Sequence, residues 1–220
     1  MTAEDMDARE RMMRSAVDLA ASGGWRSASL SAVAAHAGVS LVDAYAAFPT
    51  RLALLAGLLG RTDRRVLDAG PADPHDTPRE RLFDIVMRRF DALAAERAGM
   101  AAIIRDLPGD PLNAVLLVPG FVTSLAWMLE AAGESTAGLA GALKVKGLAV
   151  VYLATLRVWL DDDSIDMART MAALDRYLDR ADRFAGRLPR RRGPAERPDV
   201  PPDPGPGEPG DANAPPSPAI

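Results

Sequence analysis

The chain has no cysteine, only two histidines, and aromatic side chains at 5% of its 220 positions. Without cysteine there is no disulfide framework, no thiolate metal site and no thiol nucleophile, which fits a reducing compartment. His36 and His75 have no second histidine at ligating spacing and no acid-rich calcium loop beside them, so no metal is expected. Long apolar runs are scarce. The longest, Gly147 to Leu160, contains Arg157 and is too short to cross a bilayer; it reads as a buried helix, and no membrane insertion is expected. The first residues are charged and carry no apolar leader core, which makes the cytoplasm the expected location. A net charge of -4 argues against non-specific coating of nucleic acid but leaves room for a local basic patch.

Catalytic frames are also lacking. The glycine-rich stretch Gly133 to Gly147 fails as a phosphate loop, because Gly138 is followed by Leu139 and Ala140 where a lysine and a hydroxyl residue are needed. Asp161, Asp162, Asp163 and Asp166 fall in a linker and helix-cap position and are expected to be solvated caps. No enzyme, no catalytic residue and no cofactor is indicated.

What is present is helix. Alanine and leucine recur at a period of 3.6 residues, and no run shows the period-two, β-branched pattern of strands, so an all-α fold of about nine helices is expected. The first spans about Glu4 to Ala21 and stops at Ser22 to Gly24, with Trp25 plugging the corner. A short helix from Leu30 to Ala37 is followed by Gly38, which permits a left-handed turn, and Ser40 caps a third helix that ends at Phe48 before Pro49. Thr50 caps a fourth, to about Leu67. The connector Gly70 to Pro78 is the one expected boundary. Thr77-Pro78-Arg79-Glu80 then opens a helix to about Ala98, Gly109 to Pro111 starts another to about Ala132, and Leu139 to Leu160 and Ser164 to Phe184 complete the set. From Leu188 to Ile220 the chain holds eleven of its 18 prolines and reads as a disordered tail, with Arg190, Arg191 and Arg192 at its root. The expected division is 1–68, 69–187 and 188–220.

Two short helices joined by a glycine turn form a hydrophobic corner whose second helix projects outward. The segment Arg9 to Leu67 resembles the DNA-binding domain of the TetR family of bacterial transcriptional repressors. It does so through Ala34 to Ser40, Tyr45, Phe48, Pro49, Arg51 and Leu54-Leu55. The resemblance implies an all-α second domain with a ligand cavity and a dimer contact made by the last two helices. It also implies that Tyr45 and Arg51 meet phosphates, that Ser29 offers a hydroxyl or amide to another, and that Leu41, Val42 and Ala44 face bases, with Arg26 and Ser40 on the same surface. Leu41 stands where the family often has lysine, arginine or threonine, and Ala46 where it has histidine. Apolar side chains can touch thymine methyls but make no bidentate bonds to guanine or adenine. Asp43 fits a capping role with Ser40. Arg9, Arg11, Arg14, Arg26, Arg51, Arg61, Arg64 and Arg65 are nearly balanced by acids in this region, so weak, steeply salt-sensitive DNA binding supported by dimerisation is expected.

Side chains too bulky or flexible for a plain helix seam mark a candidate cavity lining: Phe90, Met100, Ile104, Phe121, Trp127, Met128 and Tyr152, with Arg105 or Arg157 able to meet an acidic group. The same residues can equally fill a core. Leu156, Trp159, Leu174, Tyr177 and Leu178 are candidates for a homodimer contact. Leu143 to Arg180 is also similar to the lipid-binding accessory proteins of coenzyme Q biosynthesis, which share the TetR fold without acting as repressors. Two readings therefore stay open. One is a homodimeric repressor of operator DNA released by a small apolar or acidic effector. The other is a lipid-binding accessory protein that does not bind DNA.

Overall fold

The computed structural model describes residues 3–187. Among these residues there are nine α-helices and no strand: α1 Ala3–Gly23, α2 Leu30–Ala37, α3 Leu41–Ala47, α4 Arg51–Asp68, α5 Pro78–Ala94, α6 Arg97–Asp106, α7 Pro111–Ala131, α8 Gly138–Leu160 and α9 Ala168–Arg187. Their starts follow from side chains that satisfy otherwise orphaned backbone amides. Ser29, Ser40, Thr50, Thr77 and Asp110 accept from the amides of Ala32, Asp43, Ala53, Glu80 and Asn113. Thr77 and Glu80 complete the reciprocal capping box. Gly38, at φ 63°, occupies the left-handed region that closes α2, and α2 and α3 meet at 112°, an angle typical of a helix-turn-helix.

The fold departs from expectation at α5 and α6. In place of one helix to Ala98, α5 ends at Ala94 and the chain turns at Glu96 before α6 begins. Two contacts hold the break. The Glu96 carboxylate is bound by Arg61 of α4, and α6 crosses α1 so closely that a Cβ on Gly99 would lie 2.1 Å from the carbonyl oxygen of Val17. A straight helix would carry Gly99 away from that crossing. Contacts divide the chain near Gly186, not at the Gly70 to Pro78 connector, because α1 packs on α6 and α4 packs on α5 and α7. The proline-rich segment 188–220, with Arg190, Arg191 and Arg192, lies outside the described residues.

The expectation that Gly147 to Leu160 is a buried helix is corrected. That stretch belongs to the longer α8, and α7 and α8, at 21 and 23 residues, are each long and apolar enough to cross a membrane. One face of each is packed in the bundle, through Ser124, Leu125 and Met128 of α7 and Leu148, Tyr152 and Thr155 of α8. Their outer faces carry exposed Leu112, Val115, Val122, Leu139, Leu143 and Val150.

The acidic linker after α8 is corrected as well, since Asp162 is fully buried rather than solvated. Its carboxylate accepts from the backbone amide and hydroxyl of Thr170, at 2.8 and 2.6 Å, and from the amide of Ser164 at 3.1 Å, tying the linker to the first turn of α9. Burial alone would raise its pKa, but the bonds from Ser164 and Thr170 outweigh it and hold the carboxyl at about 2, below the ordinary 3.8. The stabilisation is therefore complete above about pH 4 and is lost as pH falls through about 2. Asp162→Ala is expected to cost about 1 to 3 kcal/mol in urea unfolding at pH 7 by orphaning buried donors. The gap to the unsubstituted chain should narrow toward pH 2, and a gap constant from pH 7 to pH 2 would deny the carboxylate charge any part.

Candidate functional site

Two features stand apart from the packed core. The first is the outer face of α3, where Leu41, Val42 and Tyr45 are 67, 78 and 72% exposed. Packing makes no use of these three large side chains. Ser40 caps the helix, and its hydroxyl also bonds the Asp43 carboxylate at 2.6 Å, so Asp43 acts locally at the positive end of its own helix. Ser29 lies exposed nearby, its hydroxyl 3.0 Å from that of Ser31. Ala44, expected to face bases, is instead buried in the corner between helices.

Three of the eight arginines expected in this region are committed elsewhere. Arg51 reaches back to donate to the Trp25 carbonyl at 2.7 Å, with its guanidinium 4.6 Å from the indole centroid. It clamps the buried corner residue where a phosphate contact was expected. Arg9 bonds the Ala47 carbonyl at the end of α3 and stacks 4.3 Å from the Phe48 ring, so it closes the helix C-terminus. Arg61 is buried between Glu10 and Glu96. Arg26 stays exposed, with its backbone amide on Asp106. Adding charges along the sequence counted all of these as available to DNA, whereas the fold uses Arg9, Arg51 and Arg61 as internal ties.

The second feature is a cavity of about 310 Å³ bounded by α4, α5, α6, α7 and α8, near the lower end of ligand-site volumes. Of the expected lining, Met100, Ile104, Phe121 and Tyr152 reach it. Phe90 lies behind, stacked on Tyr152 at 5.3 Å. Met128 is buried beside Asp63 and Ser124, and Trp127, 57% exposed, points away. Leu156, expected at a dimer contact, lines the cavity. Trp159, Leu174 and Leu178 are buried within the chain's own core and so are not open to another chain, while Tyr177 is half-buried against it. The outward side of α9 is charged, through Arg169, Asp175, Arg176 and Arg180.

Neither Arg105 nor Arg157 lines the cavity; Arg105 instead bonds the Leu160 carbonyl at the end of α8. The cation on the cavity wall is Arg89 of α5. Its side chain is 3% exposed, its Nε donates to the Tyr152 hydroxyl at 3.1 Å, and it forms an ion pair with Asp63 of α4. The Ser124 hydroxyl donates to the same Asp63 oxygen at 2.6 Å. Burial would lower the Arg89 pKa, but Tyr152 and Asp63 outweigh it and the net shift is upward, so the guanidinium is charged. The sequence held a signal for this group. Ile85, Arg89 and Leu93 share one helix stripe at spacings of four, and an arginine in an apolar stripe needs a buried partner. Among the described residues no cluster of three or more His, Asp or Glu is placed to hold a metal.

Comparison with known proteins separates the parts of this layout. The family model for COQ9 matches residues 127–185, which cover the end of α7, all of α8 and most of α9. No curated protein matches the sequence. Among solved structures, a TetR transcriptional regulator from Nitrosomonas europaea ATCC 19718 is 26% identical over 79% of this chain and 97% of its own, with a TM-score of 0.64. A TetR transcriptional regulator from Rhodococcus sp. RHA1 is 19% identical over 81% and 97%, with a TM-score of 0.59. A TetR-family regulator from Streptomyces coelicolor is 20% identical over 80% and 83%, with a TM-score of 0.55. The chain thus has the all-α fold of the TetR regulators, with a helix-turn-helix at α2 and α3, and residues 127–185 resemble COQ9.

Proposed function

We propose that the protein is a TetR-type transcriptional regulator in the cytoplasm, a homodimer that binds operator DNA through α3 and answers to a small effector in the cavity. The observation that carries this reading is the α3 face. A helix-turn-helix that served only as scaffold would gain by covering Leu41, Val42 and Tyr45, whereas this fold holds them outward at 67 to 78% exposure on the helix that enters a major groove. Leu41 and Val42 supply apolar contacts suited to thymine methyls, and the Tyr45 hydroxyl and the Ser29 cap supply phosphate bonds. With Arg9, Arg51 and Arg61 held internally, few phosphates are neutralised per protomer. The salt dependence of such binding is therefore shallow, in place of the steep one expected from the charge tally, because the slope scales with the number of neutralised phosphates.

One helix with so few bonding groups needs a second copy to reach useful affinity. The surface we assign to that copy is the outer face of α7 and α8, where Val122, Trp127, Leu139, Leu143 and Val150 are exposed. The second reading, a lipid-binding accessory protein, draws on the same face and on the COQ9 match over residues 127–185.

Two measurements test these statements. Pulldown of native genomic DNA followed by sequencing should recover a reproducible palindrome, and Tyr45→Ala should weaken binding to it about tenfold, or about 1.4 kcal/mol, with Tm unchanged. Absence of any enriched DNA, with lipid or quinone co-purifying, would replace the regulator with the accessory protein. For the dimer face, Val150→Glu should convert a dimer into a monomer in sedimentation velocity; a variant that stays dimeric puts the contact elsewhere.

A further inference from the structure

We propose that the cavity binds a monocarboxylate with a compact apolar body, and that the ligand's carboxylate displaces Asp63 from Arg89, releasing α4 from α5. This rests on the reading above for its consequence at DNA but not for the binding event itself. Three observations converge on it. The cavity wall is apolar, built from leucines of α4, Leu93, Met100, Ile103, Ile104 and Phe121, with a single cation, Arg89. An apolar site with one buried guanidinium discriminates by charge, since an alcohol or hydrocarbon of the same shape leaves the guanidinium no better paired than before. The volume, about 310 Å³, lies near the lower end of ligand-site volumes and suits a small ligand.

The third observation is where Asp63 goes. Its side chain is 23% exposed and lies between two spaces: the cavity on the Arg89 side, and a separate groove between α4 and α7 lined by Ala56, Gly60, Gly120 and Thr123. Leu59 and Leu117 border both spaces. A carboxylate arriving at Arg89 from the cavity therefore meets a competitor that has an open, hydrated side to turn into. The exchange keeps one anion on the buried guanidinium throughout, so no uncompensated charge is left inside. The Ser124 bond to Asp63 is free to follow or to break. The result is a mechanical one. Asp63 sits on α4, the helix entered directly from Phe48, Pro49 and Thr50 at the end of α3, while Arg89 sits on α5. Losing their ion pair loosens the tie between the helix that leads from α3 and the body that holds the ligand.

Isothermal titration of the full chain with octanoate and with octan-1-ol, in the absence of DNA, tests the binding. Octanoate should bind at least tenfold tighter than the alcohol. Asp63→Asn removes the competing anion, so it should tighten octanoate five- to tenfold and leave the alcohol unchanged. Arg89→Lys should erase most of the preference between the two. Equal affinity for acid and alcohol in the unsubstituted chain overturns the proposal, and so does Asp63→Asn with unchanged octanoate affinity, whether or not Arg89→Lys folds. Octanoate added to the protein on its operator should then release it. Binding that obeys the three expectations without any operator to release would leave the carboxylate site standing and remove only the regulator reading.

Discussion

A guanidinium buried to 3% exposure on α5 obliges a carboxylate to stand opposite it, and Asp63 of α4 is that carboxylate. Taking either charge out of water alone would cost several kcal/mol, so the two helices are locked in one register by a pair that has value only while both members are present. A second tie works the same way two residues earlier: Arg61 is buried against Glu10 of α1 and against Glu96 at the break between α5 and α6. Arg61 and Asp63 lie two apart and leave opposite sides of α4. One helix is thereby fixed both to the N-terminal helices and to the bundle. This explains why contacts do not divide the chain at the Gly70 to Pro78 connector.

The helix starts were legible in the sequence because capping is local chemistry, settled within three residues. Ser40, Thr50 and Thr77 each cap as their spacing implies. The break between α5 and α6 was not, because its causes are distant. Glu96 is held by Arg61, 35 residues away, and Gly99 is required by the approach of Val17. The misassigned dimer residues have a different origin. A stripe such as Leu174, Tyr177 and Leu178 shows that one face of α9 is covered, but periodicity does not distinguish cover by the same chain from cover by another. Here the chain's own core takes in Leu174 and Leu178 with Tyr177 against it, and Arg79 of α5 also bonds Asp175 of α9 at 2.6 Å. In the cavity, Met100, Ile104, Phe121 and Tyr152 were legible as bulky apolar positions, whereas Arg89 was hidden by its type, since arginine is read by default as surface.

Charge on the helix-turn-helix shows the same limit. Counting arginines presumes that each is free, yet an arginine next to an aromatic or a helix end has competing uses. Arg9 lies at Phe48 and the last carbonyls of α3, and Arg51 at Trp25. Both stiffen the corner that presents Leu41, Val42 and Tyr45. These internal contacts take both guanidinium groups away from long-range attraction of an anionic partner and hold the α3 face in one orientation.

The cavity and the exposed face of α7 and α8 are not independent surfaces. Val118 and Leu153 line the cavity and are also about half exposed on the outside of those helices, so they form its mouth. Whatever covers that face, a second protomer or a lipid surface, also covers the mouth and changes the water content of the space that Arg89 faces. On the readings proposed above, occupancy and association would be linked reciprocally: a ligand that prefers the closed mouth would tighten the contact, and the contact would tighten the ligand by the same factor. This linkage holds under either reading of the protein. What separates the two is α3, whose exposed Leu41, Val42 and Tyr45 lie at the far end of α4 from the Asp63 tie and have a role only in the proposed regulator.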